Sequence, residues 1–200
     1  LSLKLEELRS QVVGAQLGEE AIHTSLIAGA IGLIIVILFM ILVYRLPGLV
    51  AGIALLVYTA LMLVTLNAFD ITLTLPGIAG IILGIGMAVD ANVIIYARIR
   101  EEIAAGKSVL NSIQTGFHKA LSAIVDGNIT TLIAALVLGI LGSGSVKGFA
   151  YTLAMGIVLS MFSALVISRY LTLAFYALFA RDKKYYGEAK ERKPIDFLGR

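Results

Sequence analysis

The chain has 200 residues, of which 59% are hydrophobic and only 14% charged, and its mean hydropathy is +0.96. A water-soluble domain normally carries about a quarter charged residues, so this composition excludes an ordinary soluble fold and makes lipid the solvent. Cysteine is absent, which excludes disulfides and thiolate metal sites. The formal net charge of +3 is small enough to be a topogenic bias plus attraction to anionic lipid, without nucleic-acid binding.

In chain order, the first segment is Leu1 to Leu5, L-S-L-K-L, with the period-two pattern of a half-buried strand. One strand is not stable alone, so this reads as the return strand of a larger external domain. No charged n-region precedes the first apolar run, so no signal peptide is expected and the chain reads as part of something longer.

Five stretches then reach the roughly 20 apolar residues that a bilayer-crossing helix needs. They lie at about 25–44, 48–69, 76–97, 122–141 and 148–169. They lack the alternation of barrel strands, and backbone in hydrocarbon must satisfy its own hydrogen bonds, so all five are expected to be helices. The expected organisation is an external remnant and lead-in over 1–24, a five-helix transmembrane domain over 25–180, and a basic cytoplasmic tail over 181–200.

Basic residues set the orientation. Arg45, Arg98, Arg100, Lys107, Lys119, Arg169 and seven residues from Arg181 to Arg200 fall on one side, thirteen in all, against Lys4, Arg9 and Lys147 on the other. Lys and Arg are enriched in cytoplasmic loops near helix ends, which places the N-terminus outside and the C-terminus inside. Between the third and fourth spans, Ser108 can cap a short helix on which Leu110, Ile113, Phe117 and Leu121 share one face. That pattern predicts a cytoplasmic amphipathic helix at the interface or under the bundle. Tyr170 to Ala180 continues the fifth helix beyond what hydrocarbon requires, so a bend is expected near Arg169.

Within the third span sits G-M-A-V-D-A-N, Gly86 to Asn92, and its Asp90 is the only charge from Ile71 to Ala97. A carboxylate near mid-membrane costs roughly 2.5 to 3.5 kcal/mol on insertion scales. Asp90 precedes Arg98 by eight residues, about 12 Å along a helix, too deep for a short side chain to reach the interface. Intramembrane ionisable groups mark ion or proton pathways by default, and burial would bring the carboxyl towards titration near neutral pH. The alternative is a structural aspartate bonded to a neighbouring helix. Gly77, Gly80, Gly84 and Gly86, with Ala79 and Ala88, keep one broad side of this helix small. Small residues let helices approach and slide, though plain tight packing calls for the same glycines.

The fourth span opens with a second polar cluster, D-G-N-I-T-T, in which Asp126, Asn128, Thr130 and Thr131 offer carboxylate, amide and hydroxyl groups at a depth similar to Asp90. The competing reading makes Asp126 a helix N-cap. His23 and His118 have no acidic or thiol neighbours at metal-ligand spacing, so no metal site is expected. Gly142 to Lys147 lacks the order of a phosphate loop, and no cofactor is expected.

The stretches Gly77 to Ile103, Asp126 to Ile133 and Gly148 to Arg169 closely resemble the SecD side of the SecD/SecF family of protein-export membrane subunits, within the resistance-nodulation-division (RND) superfamily. The lead-in from Leu3 to Ile22 is similar too, so the resemblance covers nearly the whole chain. It implies an all-α membrane bundle holding the last five of six spans, in a prokaryotic cell (inner) membrane. It further implies pairing with SecF, association with the SecYEG channel, preprotein as substrate, and use of a proton gradient, or sodium in some members, to draw preprotein across. Asp90 matches the family's membrane carboxylate, and Asp126, Asn128, Thr130 and Thr131 its second polar motif; Asn92 belongs to the first. The role implied is a transport component rather than an enzyme. A different RND-like exporter of lipid or small molecules is the alternative, and a non-transporting scaffold a further one.

Overall fold

The computed structural model describes residues 15–71, 73–178 and 183–186. The strand expected at Leu1 to Leu5 and most of the basic tail lie outside these residues. Among the described residues every regular element is helical. α1 (Ala15–Tyr44), α2 (Leu46–Ala68), α3 (Leu75–Ala104), α4 (Val109–Leu141) and α5 (Ser145–Phe162) are followed by a π-helical turn, Ser163–Ile167. α6 (Ser168–Leu178) continues from it, and a 3-10 turn, Lys183–Tyr186, closes the series. Five stretches are long and apolar enough to cross a membrane: Glu20–Tyr44, Leu46–Ala68, Leu75–Ala104, Val109–Leu141 and Ser145–Leu178.

The connections are short, and each has a local cause. Arg45 alone separates α1 from α2, in a left-handed conformation with φ 55°. Its N–H still donates to the Ile41 carbonyl (2.9 Å), and its own carbonyl accepts from Leu49 N–H (3.1 Å). Pro47 starts α2 with its φ preset. Gly48 has to be glycine, since a Cβ there would overlap the Met40 carbonyl and approach Ile41 N to 2.9 Å. α2 ends in a Schellman arrangement: Asp70 N–H bonds the Asn67 carbonyl (3.2 Å) and Ile71 N–H the Leu66 carbonyl (3.1 Å), with Asp70 left-handed at φ 49°. Thr74 then caps α3, its Oγ1 accepting from Gly77 N–H at 3.1 Å.

The helices share the interior unequally. The apolar windows of α1 and α4 are only 6% and 11% buried, against 44% for the other three spans, so α1 and α4 form the rim and α2, α3 and α5 the centre. α3 packs most extensively against α5. The two run parallel, because Thr74 Oγ1 at the start of α3 donates to the Ser145 carbonyl at the start of α5 (3.4 Å). Small residues then meet in step along both helices. A Cβ on Gly80 would lie 3.3 Å from Phe149, and one on Gly84 would lie 3.9 Å from Gly156 Cα. Gly77, Gly80 and Gly84 on one helix face Gly148, Thr152 and Gly156 on the other, the small-xxx-small spacing that brings membrane helices together. Into the Gly84–Gly156 crossing α2 sends Tyr58, which is fully buried.

One expectation for the helices meets a different outcome. The segment after Ser108 is not a separate helix but the first turns of an unbroken α4. Ser108 stands at its N-cap without a side-chain cap bond, and Ile113 and Phe117 are buried while Leu110 and Leu121 are exposed. Nothing in the sequence from Lys119 to Val125 breaks a helix, so propagation continues into the span. Where a bend is expected near Arg169, the described helix carries a π-turn, Ser163–Ile167, just before that residue.

Candidate functional site

α3 positions the central carboxylate. The broad small-residue side read from the sequence divides into two stripes. Gly77, Gly80, Gly84 and Ala88 are buried, whereas Ala79, Gly86 and Asp90 are exposed together with Leu83. Residues 79, 83, 86 and 90 recur at helical spacing and form one open stripe. A Cβ on Gly86 would meet nothing within 4 Å. Asp90 is therefore not buried within this chain, contrary to the expected enclosed carboxylate, because α5 covers the other stripe of α3. Among the described residues Asp90 has no hydrogen-bond or ion-pair partner.

Asn92 does not share that face. Two residues correspond to about 200° around a helix, so Asn92 points inward and is 2% exposed. Its Nδ2 donates to the Ala88 carbonyl at 3.2 Å, while its Oδ1 is buried without a partner.

On α4 the second polar cluster stands well inside the helix, which starts at Val109, so Asp126 is not an N-cap. Asp126 and Gly127 are exposed, and no partner of the Asp126 carboxylate occurs among the described residues. The neighbouring polar groups are satisfied within the helix. Asn128 Nδ2 donates to the Ile124 carbonyl (2.7 Å), and Thr130 and Thr131 hydroxyls both donate to the Gly127 carbonyl (2.9 and 3.2 Å). Among the described residues the carboxylates of Asp90 and Asp126 are both without partners, on two helices that pack against one another.

Polar contacts absent from the sequence reading lie behind this face. Ser163 Oγ donates to the Ala54 carbonyl at 2.9 Å, and the hydroxyls of Tyr96 and Ser168 share a hydrogen bond of 2.9 Å, all buried. Ser160, Ser163, Ser168 and Thr172 form an inward polar series on the last transmembrane element, a signal visible as hydroxyl residues every three to five positions in a mostly apolar run. At the basic end, Glu102 is clasped by Lys107 and by Lys119, the latter at 2.5 Å, tying the end of α3 to the start of α4. Hydrogen bonds from Lys107, then from Lys119, hold the Glu102 carboxyl below the usual glutamate value of 4.5.

These features define a multi-pass helical membrane protein with a glycine-packed centre and an unpaired carboxylate on an open apolar face. Comparison with known proteins gives the particular family. Residues 2–177 match the family described as protein export membrane protein SecD/SecF, C-terminal. The protein translocase subunit SecD of Synechocystis sp. is 53% identical over 173 residues, 86% of this chain and 37% of that protein. The protein translocase subunit SecD of Acidaminococcus fermentans is 49% identical over 195 residues, 97% of this chain and 46% of that protein. Among solved structures, SecDF of Thermus thermophilus, a translocon-associated membrane protein, superposes with a TM-score of 0.81 at 42% identity, covering 83% of this chain and 23% of that one. The chain belongs to the SecD/SecF protein-export membrane family, and it spans less than half the length of these relatives.

Proposed function

We propose that this chain is the membrane portion of an ion-gradient-driven accessory complex that promotes preprotein export, and that Asp90 carries the coupling ion. The observation that supports this most directly is the Asp90 carboxylate itself, unpartnered on an apolar stripe about 12 Å from the nearest basic residue along the helix. A purely structural aspartate is bonded to something; this one is left for a partner or an ion. A SecF-type half would close the Asp90 stripe and the Asp126 side of α4, enclosing both carboxylates between two bundles. Neutralisation then removes the cost of charge at the junction and lets the two bundles shift, and the Gly80–Gly84 contact with α5 keeps this half rigid as they do so.

In this reading the N-terminus is external, the C-terminus cytoplasmic, and residues 1–24 lead in from an external domain that handles preprotein beside a SecYEG channel. The first turns of α4 lie at the cytoplasmic interface, and residues 181–200 form a basic tail there. Asn128, Thr130 and Thr131 supply hydration-like oxygen and amide groups along the ion's route, and Asn92 holds the inward side of α3.

The test is translocation into inverted vesicles by the full-length complex, with and without a proton gradient, normalised to assembled complex. Asp90→Asn preserves volume and removes titration, so gradient stimulation should disappear while assembly persists. Normal stimulation by Asp90→Asn would leave only a structural role for this residue.

A further inference from the structure

The geometry points to a binding site for an anionic phospholipid headgroup between α4 and α6, centred on Arg169, at the end of the bundle opposite the α3–α5 starts. A cleft of about 200 Å³ opens there, lined by Gln114, Phe117, His118 and Leu121 of α4, Leu165 of the π-turn and Arg169 of α6. It is smaller than the roughly 300 Å³ at which sites for whole small molecules begin, which suits a headgroup better than a transported solute.

Its chemistry is one-sided. No carboxylate lines the cleft, so nothing there neutralises the guanidinium. Four other basic side chains at this end are engaged: Arg98 pairs with Glu101 at 2.8 Å, Lys107 and Lys119 hold Glu102, and Arg100 stands 5.8 Å over the Tyr44 ring. Among the described residues Arg169 has no such partner, and it is exposed. An arginine fork donates to two phosphate oxygens at a time, and Gln114 and His118 offer further hydrogen-bonding groups on the facing helix. Phe117, Leu121 and Leu165 supply an apolar wall for the glycerol and first methylenes. Basic pockets between transmembrane helices at the membrane boundary are the expected form of anionic lipid sites.

The π-turn borders the cleft through Leu165. It places an irregular, wider helical turn at Leu165, next to the arginine, and such turns recur at functional sites. The ligand assigned is a singly anionic diacyl lipid of the phosphatidylglycerol type, and the site is independent of the Asp90 stripe.

The test is lipid retention by the full chain in detergent, read by native mass spectrometry, with dioleoylphosphatidylglycerol, dioleoylphosphatidylcholine and inorganic phosphate as separate probes. Phosphatidylglycerol should be retained about fivefold or more over phosphatidylcholine, and Arg169→Gln should remove that preference. Arg98→Gln, at an already paired and exposed cation, should leave it intact. Leu165→Trp fills the cleft without changing charge and should also lower retention, which keeps the test decisive if Arg169→Gln folds poorly. Equal retention of the two lipids, or equal loss in Arg98→Gln and Arg169→Gln, overturns the site. Displacement of the lipid by millimolar phosphate alone overturns the lipid assignment in favour of a simple anion site.

Discussion

Ser163 donates its hydroxyl hydrogen to the Ala54 carbonyl at 2.9 Å, joining the first residue of the π-turn to the middle of α2 across 109 positions of sequence. The bond ties the irregular turn to a neighbouring span in a region closed to water. Interhelical hydrogen bonds in membrane proteins contribute about 0.6 kcal/mol on average, so Ser163→Ala should lower unfolding stability in detergent by about that amount. A steric measurement separates this from mere packing: Ser163→Cys keeps the volume and offers a weaker donor, and should fall between the two. Stability of Ser163→Ala equal to that of the parent chain means that the contact is geometric only.

The crossing of α3 and α5 gives a sharper test, because Tyr58 closes it. A Cβ on Gly84 would lie 2.5 Å from the Tyr58 hydroxyl, and that hydroxyl has no hydrogen-bond partner among the described residues. Overpacking of this kind costs about 1–3 kcal/mol. Gly84→Ala should therefore destabilise the bundle, and Tyr58→Phe, which removes the obstructing atom, should recover much of the loss. Strictly additive effects in the double variant would show that the two residues do not meet.

Glu102 predicts a pH dependence of defined sign. Its carboxyl is held below 4.5 in the folded chain by Lys107 and Lys119. The folded state thus binds its proton less readily than the unfolded state does, and the clasp contributes fully above 4.5. The contribution is lost as pH falls through the lower folded value. Thermal unfolding in detergent should show Glu102→Gln melting below the parent at pH 7, with the gap closing in acid. A gap of constant size across that range would assign the loss to shape rather than charge.

Topology is open to direct chemistry. Ser143 and Asn111 are both exposed, in the α4–α5 connection and the first turns of α4 respectively. Single cysteines at the two positions, in an otherwise cysteine-free chain, should differ towards an impermeant maleimide applied to intact cells. Ser143→Cys should react at once and Asn111→Cys only after permeabilisation; the reverse order inverts the proposed orientation.

Much of the architecture was legible in the sequence because lipid imposes a simple rule, that a helix must stay apolar for about 20 residues. Five such runs were visible, and five helices carry them. The segment after Ser108 was harder. Its polar positions from Asn111 to Lys119 end the apolar window, yet polar residues on an exposed face do not end a helix. The site was half legible. Asp90 announced itself by charge, but the linear motif grouped it with Asn92, which helical geometry sends to the opposite side. Nor does a glycine-rich helix say which stripe its neighbour will take. That depends on Tyr58 and Gly156, which lie on other spans and carry no local mark of the pairing.

The parallel contact of α3 with α5 has a consequence for how the chain is made. The two helices that fit most closely are separated by α4, so α3 enters the membrane before its partner exists. At about 5–20 residues per second, its Gly77–Gly80–Gly84 groove faces lipid for on the order of seconds until Gly148 to Gly156 emerges. During that interval the groove is a vacancy of the right width for any small-faced helix nearby. A chain stalled after Leu141 would keep it open indefinitely, whereas the finished bundle closes it with α5.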